Sequence, residues 1–214
     1  LRKTNSAYER RIIAQKERIE YQNHEIRQSI NYAKRIQMAI LPPDDLVQEH
    51  LPKSFVLYKP KDIVAGDFYF LEPSDDWVVF AAADCTGHGV PGGFMSMMGH
   101  NVLNQIVNDE GTTSPAQALT LMNQKVLDSY KKDDERQQID GMDMALCAIN
   151  WKTMELEFAG ALRPLWIVRG YEVLQFRGTK KAIGSPIGEE FQNTTVQLQK
   201  GDLIYMFSDG YPDQ

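Results

Sequence analysis

Apolar residues recur every seven positions at the start of the chain, at Ile12, Ile19, Ile26, Ala33 and Ile40, with Ile30 and Ile36 widening the stripe toward its end. That spacing predicts one helix with a single apolar seam, about 60 Å long at 1.5 Å per residue. Leu41-Pro42-Pro43 then ends it, because proline cannot continue a helical hydrogen-bond ladder. The other seam positions, Gln15, Gln22 and Ser29, are polar, so a coil built on this seam is weak alone and sensitive to register. Residues 1–28 read equally well as a dimeric connector that can shift and as a helix packed on its own domain. Ile30 to Ile40 are expected to touch the body.

Beyond the prolines the period changes. Ser54 to Tyr58, Asp67 to Leu71, Trp77 to Ala83, Met142 to Asn150, Glu155 to Ala159, Pro164 to Arg169, Glu172 to Phe176, Thr194 to Leu198 and Leu203 to Phe207 read as strands. Turn-like residues at Asn150-Trp151-Lys152-Thr153 and at Gly170 fold several of them into hairpins. Two helices are predicted between the third and fourth strands. One runs from about Pro91 to Val107; the other starts at Ser114-Pro115, an N-cap followed by proline at the first helical position, and ends near Lys132. Lys131 to Gln138 reads as an exposed charged loop. Runs of strands interrupted by a block of helices argue for an α+β layered domain with antiparallel sheets. The chain therefore divides into a linker or coiled-coil-like helix over 1–41 and a body over 44–214.

Composition narrows the function classes. With 214 residues, 43% hydrophobic and 24% charged, the chain can bury one sizeable core. The longest apolar run, Trp77 to Ala83, is far short of the roughly 20 residues that cross a bilayer, so no membrane span is expected. Cys85 and Cys147 stand far apart without metal-knuckle or redox spacing, and two free thiols in a reducing, cytoplasmic setting are expected. The first twenty residues are dense in charge and begin at Leu1, which suggests a piece of something longer. Residues 1–40 carry nine Lys/Arg against four Glu, whereas the remainder carries 14 against 25 Asp/Glu. So acidic a body, with no basic stripe interleaved with aromatics, argues against nucleic-acid binding.

Three aspartates stand beside glycine at strand edges: Asp67 in Gly66-Asp67, Asp84 in Asp84-Cys85-Thr86-Gly87-His88-Gly89, and Asp209 in Ser208-Asp209-Gly210. Singly, each is ordinary turn chemistry. The strands leading to Asp84 and Asp209 are apolar and expected to be buried, so each would deliver a carboxylate from the core to a sheet rim. Should the three converge, two like charges about 4 Å apart repel by roughly 4 kcal/mol at an effective dielectric of 20. A divalent cation reverses that sign, and hard carboxylate and water ligands select Mg²⁺ or Mn²⁺.

Asp84 to Ser96, with Gly66-Asp67 before it and Gly201-Asp202-Leu203 through Ser208-Asp209-Gly210 after it, resembles the SpoIIE-type branch of the PPM metal-dependent serine/threonine protein phosphatases. Asp140 to Leu146, Ala159 to Leu165 and the lead-in Ile30 to Pro42 are similar to the same branch, so the resemblance runs from about residue 30 onward. It implies a PPM-like β-sandwich of antiparallel sheets flanked by helices, with two Mn²⁺ or Mg²⁺ ions at one end. By position, Asp67 and Asp84 match aspartates that contact both metals, Cys85 would lend its backbone carbonyl, and Asp209 would bind one metal. A metal-bridging water would attack phosphorus in line. The implied partners are a phosphoserine or phosphothreonine protein, often an anti-sigma-factor antagonist, and an upstream sensor domain acting through a linking helix, which fits a homodimer formed by the seam.

Two departures stand out. The family's further metal-binding aspartate, on a strand well beyond Ser-Asp-Gly, is not among the 214 residues, so the piece is expected to be C-terminally incomplete and to bind metal weakly or be inactive. Leu162 also occupies a position where the pattern has a polar residue. Three further residues have two readings each. His88 would orient a metal-bound water or protonate the leaving oxygen, or else bond backbone in its turn, which is the simpler account. Asp143 would reach a third, labile metal or merely start its strand, and the strand is preferred. Arg163 would grip phosphate through its fork or form a surface ion pair. Met95, Met97 and Met98 are read as helix packing. The competing function is a non-catalytic, helix-linked signalling module with a phosphatase-like body; a nucleotide hydrolase lacks support, since no Gly-x-x-x-x-Gly-Lys cradle is present.

Overall fold

The computed structural model describes the backbone of residues 2–130 and 140–210, with side chains from Tyr8 onward; the charged run Lys131 to Gln138 lies outside the described residues. Helix α1 spans Arg2–Ile40. From Tyr8 to Ser29 it lies in solvent, with Ile12, Ile19 and Ile26 about half exposed. Its last three turns dock: Ile30, Ala33 and Ile40 are half-buried and Gln37 is buried. These docking positions continue the face that carries Ile12, Ile19 and Ile26, so one stripe is covered at its C-terminal end and open to water at its N-terminal end. Pro43 precedes a short helix, α2 (Asp44–His50), whose acidic first turn and closing His50 suit its dipole.

Strands β1 (Phe68–Ser74), β2 (Trp77–Cys85), β3 (Met142–Asn150), β4 (Glu155–Ala161) and β7 (Thr194–Gln197) form one antiparallel sheet in the order β1-β2-β3-β4-β7. A second sheet has the order β6-β5-β8, from β5 (Leu165–Arg169), β6 (Glu172–Phe176) and β8 (Leu203–Tyr205). Helices α3 (Gly89–Asn104), a π-helical turn (Gln105–Asp109) and α4 (Pro115–Tyr130) cover the free face of the larger sheet. The result is three layers, helices on sheet on sheet, and hence two apolar cores.

Side-chain alternation decides which core each residue enters. Along β2, Val79, Ala81, Ala83 and Cys85 face the helices, where they meet Leu103, Ile106, Leu119, Met122 and Val126. Val78 and Phe80 face the second sheet, where Phe158, Leu165 and Ile167 are buried beside them. Each such fully buried side chain contributes about 1.5–3 kcal/mol of transfer free energy. His100 sits in the helix-side core edge-on to Phe68 and Phe70, its Nδ1 unpaired, and burial pulls its pKa down so that it stays neutral.

Three expectations need correction. Ser54 to Tyr58 is irregular rather than a strand, and Phe55, Val56 and Leu57 are exposed, because no sheet edge pairs with them. Its two ends are anchored, Ser54 by its hydroxyl to the Leu51 carbonyl at 2.7 Å, and Tyr58 by its hydroxyl to the Asp67 carbonyl at 3.0 Å and its ring against Tyr69. The last predicted strand is shorter, ending at Tyr205, and is not buried as expected: on the edge of a three-stranded sheet Leu203 and Tyr205 point outward and Ile204 inward. Helix α2 went unpredicted. Met95 is buried and Met98 packs beside it, as the packing reading holds.

Candidate active site at the end of the sandwich

Register brings the aspartates together. Asp84 is the Cα partner of Asp143, and Phe68 pairs with Ala83, so Asp67 stands one step beyond, opposite Asp84. Residues two apart share a face, which places Asp84 with Val78 and Phe80, and Asp143 with Ala145 and Cys147, on the side facing the second sheet. Adjacent strands thus present a row of carboxylates at the open end of the sandwich. Asp209 arrives from the second sheet, in the turn after β8.

Arg163 occupies the middle of this row. It follows Leu162, whose backbone is held at φ 61, a left-handed conformation uncommon for leucine, by a 2.9 Å bond from its amide to the Thr179 carbonyl. One Arg163 terminal nitrogen donates to Asp84 at 2.5 Å and to Asp209 at 2.8 Å, and lies 3.4 Å from Asp143. With only 16% of its side chain exposed, Arg163 is the hub of the cluster rather than a surface ion pair. Its Nε is buried without a partner. Ser208 donates to Asp67 Oδ2 at 2.7 Å.

One guanidinium does not neutralise four carboxylates. Burial first, then Asp67 nearby, pushes Asp84 up to about 7, against the opposing pull of Arg163. Burial likewise raises Asp143 despite Arg163. Asp209 moves the other way, held down chiefly by the Arg163 hydrogen bond. Among the described residues, no group of three or more His, Cys, Asp or Glu is already disposed around a common point for a metal ion.

The adjoining loop is built by close backbone approach. A Cβ on Gly66 would stand 2.7 Å from the Gly87 carbonyl oxygen and 3.3 Å from that of Cys85, and one on Gly92 would stand 2.5 Å from the same Gly87 oxygen. Only glycine lets the segment before Asp67, the loop after Asp84 and the start of α3 stack so tightly. The Cys85 thiol is buried on the helix side, where burial pushes its pKa up, so only its backbone faces this loop. His88 precedes α3, and its Nδ1 lies 2.7 Å from Asp62 Oδ2; a carboxylate, not backbone, is its partner. A cleft of about 220 Å³ lined by Thr120, Asn123, Lys181, Glu190 and Phe191 includes none of these residues.

Asp67, Asp84, Asp143, Arg163 and Asp209 are therefore gathered, with the Cys85 backbone at the same edge and His88 on the neighbouring loop. Sequence reasoning missed Ser208 and Asp62 as partners; the Ser-Asp-Gly motif carried a signal for the first, and nothing in the sequence pairs the second with His88.

Comparison with known proteins assigns the chain to a family and finds the same fold elsewhere. Residues 74–214 match the family model for Stage II sporulation protein E (SpoIIE). The SiaA-PP2C domain of Pseudomonas aeruginosa is 33% identical over 90% of this chain and 75% of that one, with a TM-score of 0.80. The PP2C phosphatase domain of the cell fate determinant SpoIIE from Bacillus subtilis, solved with a fragment of its regulatory domain, is 26% identical over 69% of this chain and 42% of that one, at a TM-score of 0.57. RsbX in complex with magnesium shares the fold at 16% identity and a TM-score of 0.55, over 73% of this chain and 72% of that one. A search of the curated proteins found no match. Among the described residues, no helix is long and apolar enough to cross a membrane.

Proposed function

Because the chain belongs to the SpoIIE family, whose model matches residues 74–214, we propose that it is a metal-dependent phosphatase acting on phosphoserine or phosphothreonine of a signalling protein. The observation that carries this reading is the convergence of Asp67, Asp84, Asp143 and Asp209 at one end of the sandwich.

The donor set fits hard divalent cations. It is all oxygen, and it carries more negative charge than Arg163 offsets. Asp67, Asp84, Asp209 and the Cys85 carbonyl would hold two Mn²⁺ or Mg²⁺ ions, with Asp143 beside Asp84 across the ladder. When bound, such ions supply Lewis acidity and make a nucleophile from water near neutral pH. Ser208 and Tyr58 fix the Asp67 carboxylate and backbone from two sides. Arg163, at the centre of the carboxylate row, would offer its fork to the phosphate oxygens. Asp62 holds the His88 ring through Nδ1, which leaves Nε2 to pass a proton to the departing seryl or threonyl oxygen. The substrate class implied is a phosphoprotein such as an anti-sigma-factor antagonist.

Metal removal tests this. In a protein extended at its C-terminus to include the further metal-binding aspartate, turnover of p-nitrophenyl phosphate and of a phosphoserine peptide is expected with Mn²⁺ or Mg²⁺, to vanish in EDTA, and to return on re-addition. A rate indifferent to EDTA would overturn the metal reading. The hub position of Arg163, which already bridges three carboxylates, favours one alternative, a non-catalytic binding module. Calorimetry showing no Mn²⁺ binding by the folded protein would decide for it.

The exposed seam of α1 supports regulation through self-association, with a second copy covering Ile12, Ile19 and Ile26 and an upstream sensor acting through the helix. Ile19→Asp with Ile26→Asp is expected to convert a dimer to a monomer in analytical ultracentrifugation. A wild type that sediments as a monomer at high concentration contradicts the proposal.

A further inference from the structure

Gln37 is the one polar residue in the middle of the α1 docking stripe, 3% exposed between Ala33 and Ile40. All of its amide is used. Nε2 donates to the Ala65 carbonyl and to Ser96 Oγ, both at 2.7 Å, and Oε1 accepts from the Ala65 amide at 2.9 Å. Ser96 lies on α3, so three elements meet at this one side chain.

The partner residue gives the contact its meaning. Ala65 lies in an irregular stretch, before β1 begins, and has no strand ladder to satisfy its backbone. The Gln37 amide stands in for a neighbouring strand, pairing with both the N–H and the C=O of Ala65 as a peptide would. Two residues later comes Asp67, with Gly66 between them pressed against the Gly87 carbonyl. An apolar side chain at position 37 would dock α1 without these directional bonds, whereas a buried amide holds only one setting of the helix along and about its axis.

We infer that Gln37 is a positioning residue for Asp67: it clamps the Ala65 backbone so that the docking of α1 sets where the Asp67 carboxylate stands. The inference rests on the proposed role of Asp67 in the metal site. Its consequence is that α1 and the site are mechanically one unit, joined through Ala65-Gly66-Asp67.

The test compares Gln37→Leu, Gln37→Glu and Leu41→Ala in the full chain. Gln37→Leu keeps the bulk but loses every amide bond; Gln37→Glu keeps the acceptor for the Ala65 amide and loses both donors; Leu41→Ala removes buried apolar packing from the helix-side core just after α1 and leaves every Gln37 bond in place. Gln37→Leu is expected to weaken Mn²⁺ binding in calorimetry by about 10–100-fold and to speed amide exchange across residues 62–67. Gln37→Glu should fall between it and the wild type, and Leu41→Ala should bind Mn²⁺ as the wild type does. Wild-type affinity in Gln37→Leu, or an equal loss in Leu41→Ala, overturns the inference. A wild type that binds no Mn²⁺ defeats the phosphatase reading instead, and exchange across 62–67 alone then decides the clamp: faster in Gln37→Leu than in Leu41→Ala upholds it, no difference refutes it.

Discussion

Asp84→Asn is expected to cut Mn²⁺-dependent turnover by about three orders of magnitude, equivalent to ~4 kcal/mol of lost transition-state stabilisation. Asp84 is the central carboxylate of the row, with Asp143 across the ladder on one side and Asp67 on the other. Asparagine keeps the shape and one neutral oxygen but removes the charge that a divalent ion needs. The same change should act in the opposite direction on the metal-free protein. Burial and Asp67 push the Asp84 pKa up to about 7, above its unfolded value, so its ionised form is disfavoured in the fold. That penalty begins as pH rises past the unfolded carboxyl value and is complete above about 7, and asparagine does not incur it. In EDTA at pH 8 the thermal midpoint of Asp84→Asn should therefore not fall below the wild type. Retained turnover, measured on p-nitrophenyl phosphate with saturating Mn²⁺, would remove Asp84 from the chemistry.

Gly160→Ala is expected to be the most damaging small substitution. Gly160 lies on β4 opposite Ala145, and a Cβ there would stand 2.2 Å from the Arg163 carbonyl oxygen and 2.8 Å from the Gly178 Cα. Both obstacles are backbone, and Gly178 packs back on Gly160 with equal tightness, so neither side can give way cheaply. Overpacking of this kind costs about 3 kcal/mol, and for a domain of this size that lowers the thermal midpoint by about 10 °C. The strand end would also be pushed away from the segment that presents Arg163. Loss of stability should thus be accompanied by a raised KM for a phosphorylated peptide if Arg163 grips phosphate. A midpoint within a degree or two of wild type would show that the β4–β5 connection yields more easily than the geometry indicates.

Much of this architecture was legible because local signals agreed with one another. Met142 to Asn150 and Glu172 to Phe176 are found as predicted, since the first ends and the second begins at turn residues that close real hairpins; the Asn150 side chain accepts from the amides of Lys152 and Thr153. Ser54 to Tyr58 had the same composition with no strand beside it, and composition cannot supply a partner. Helix α2 was hidden by its seven residues, too few for a period, although Pro43-Asp44-Asp45 is a serviceable start signal.

The site was legible to the extent that its residues sit in glycine-bearing motifs, as Asp67, Asp84 and Asp209 do. What joins them was not. That one guanidinium meets carboxylates from β2, β3 and the turn after β8 is a fact of registry between distant strands. Gln37 and Ser96 were overlooked for a related reason: on a helix, an isolated polar residue looks like a solvated one until the neighbouring element is in place.

The half-covered stripe of α1 has one more consequence. Each residue turns a helix by about 100°, and seven bring it round to within about 20° of its starting direction. With Gln37 fixing the angular setting at one end, the outward direction of Ile12, Ile19 and Ile26 is fixed too. Lengthening the exposed portion by a whole heptad preserves that bearing, while adding one residue swings the seam a quarter-turn or more away from it. Any unit joined upstream would thereby be clocked against the aspartate row, and the length of the connecting helix would act as a code for which upstream units could be coupled to it.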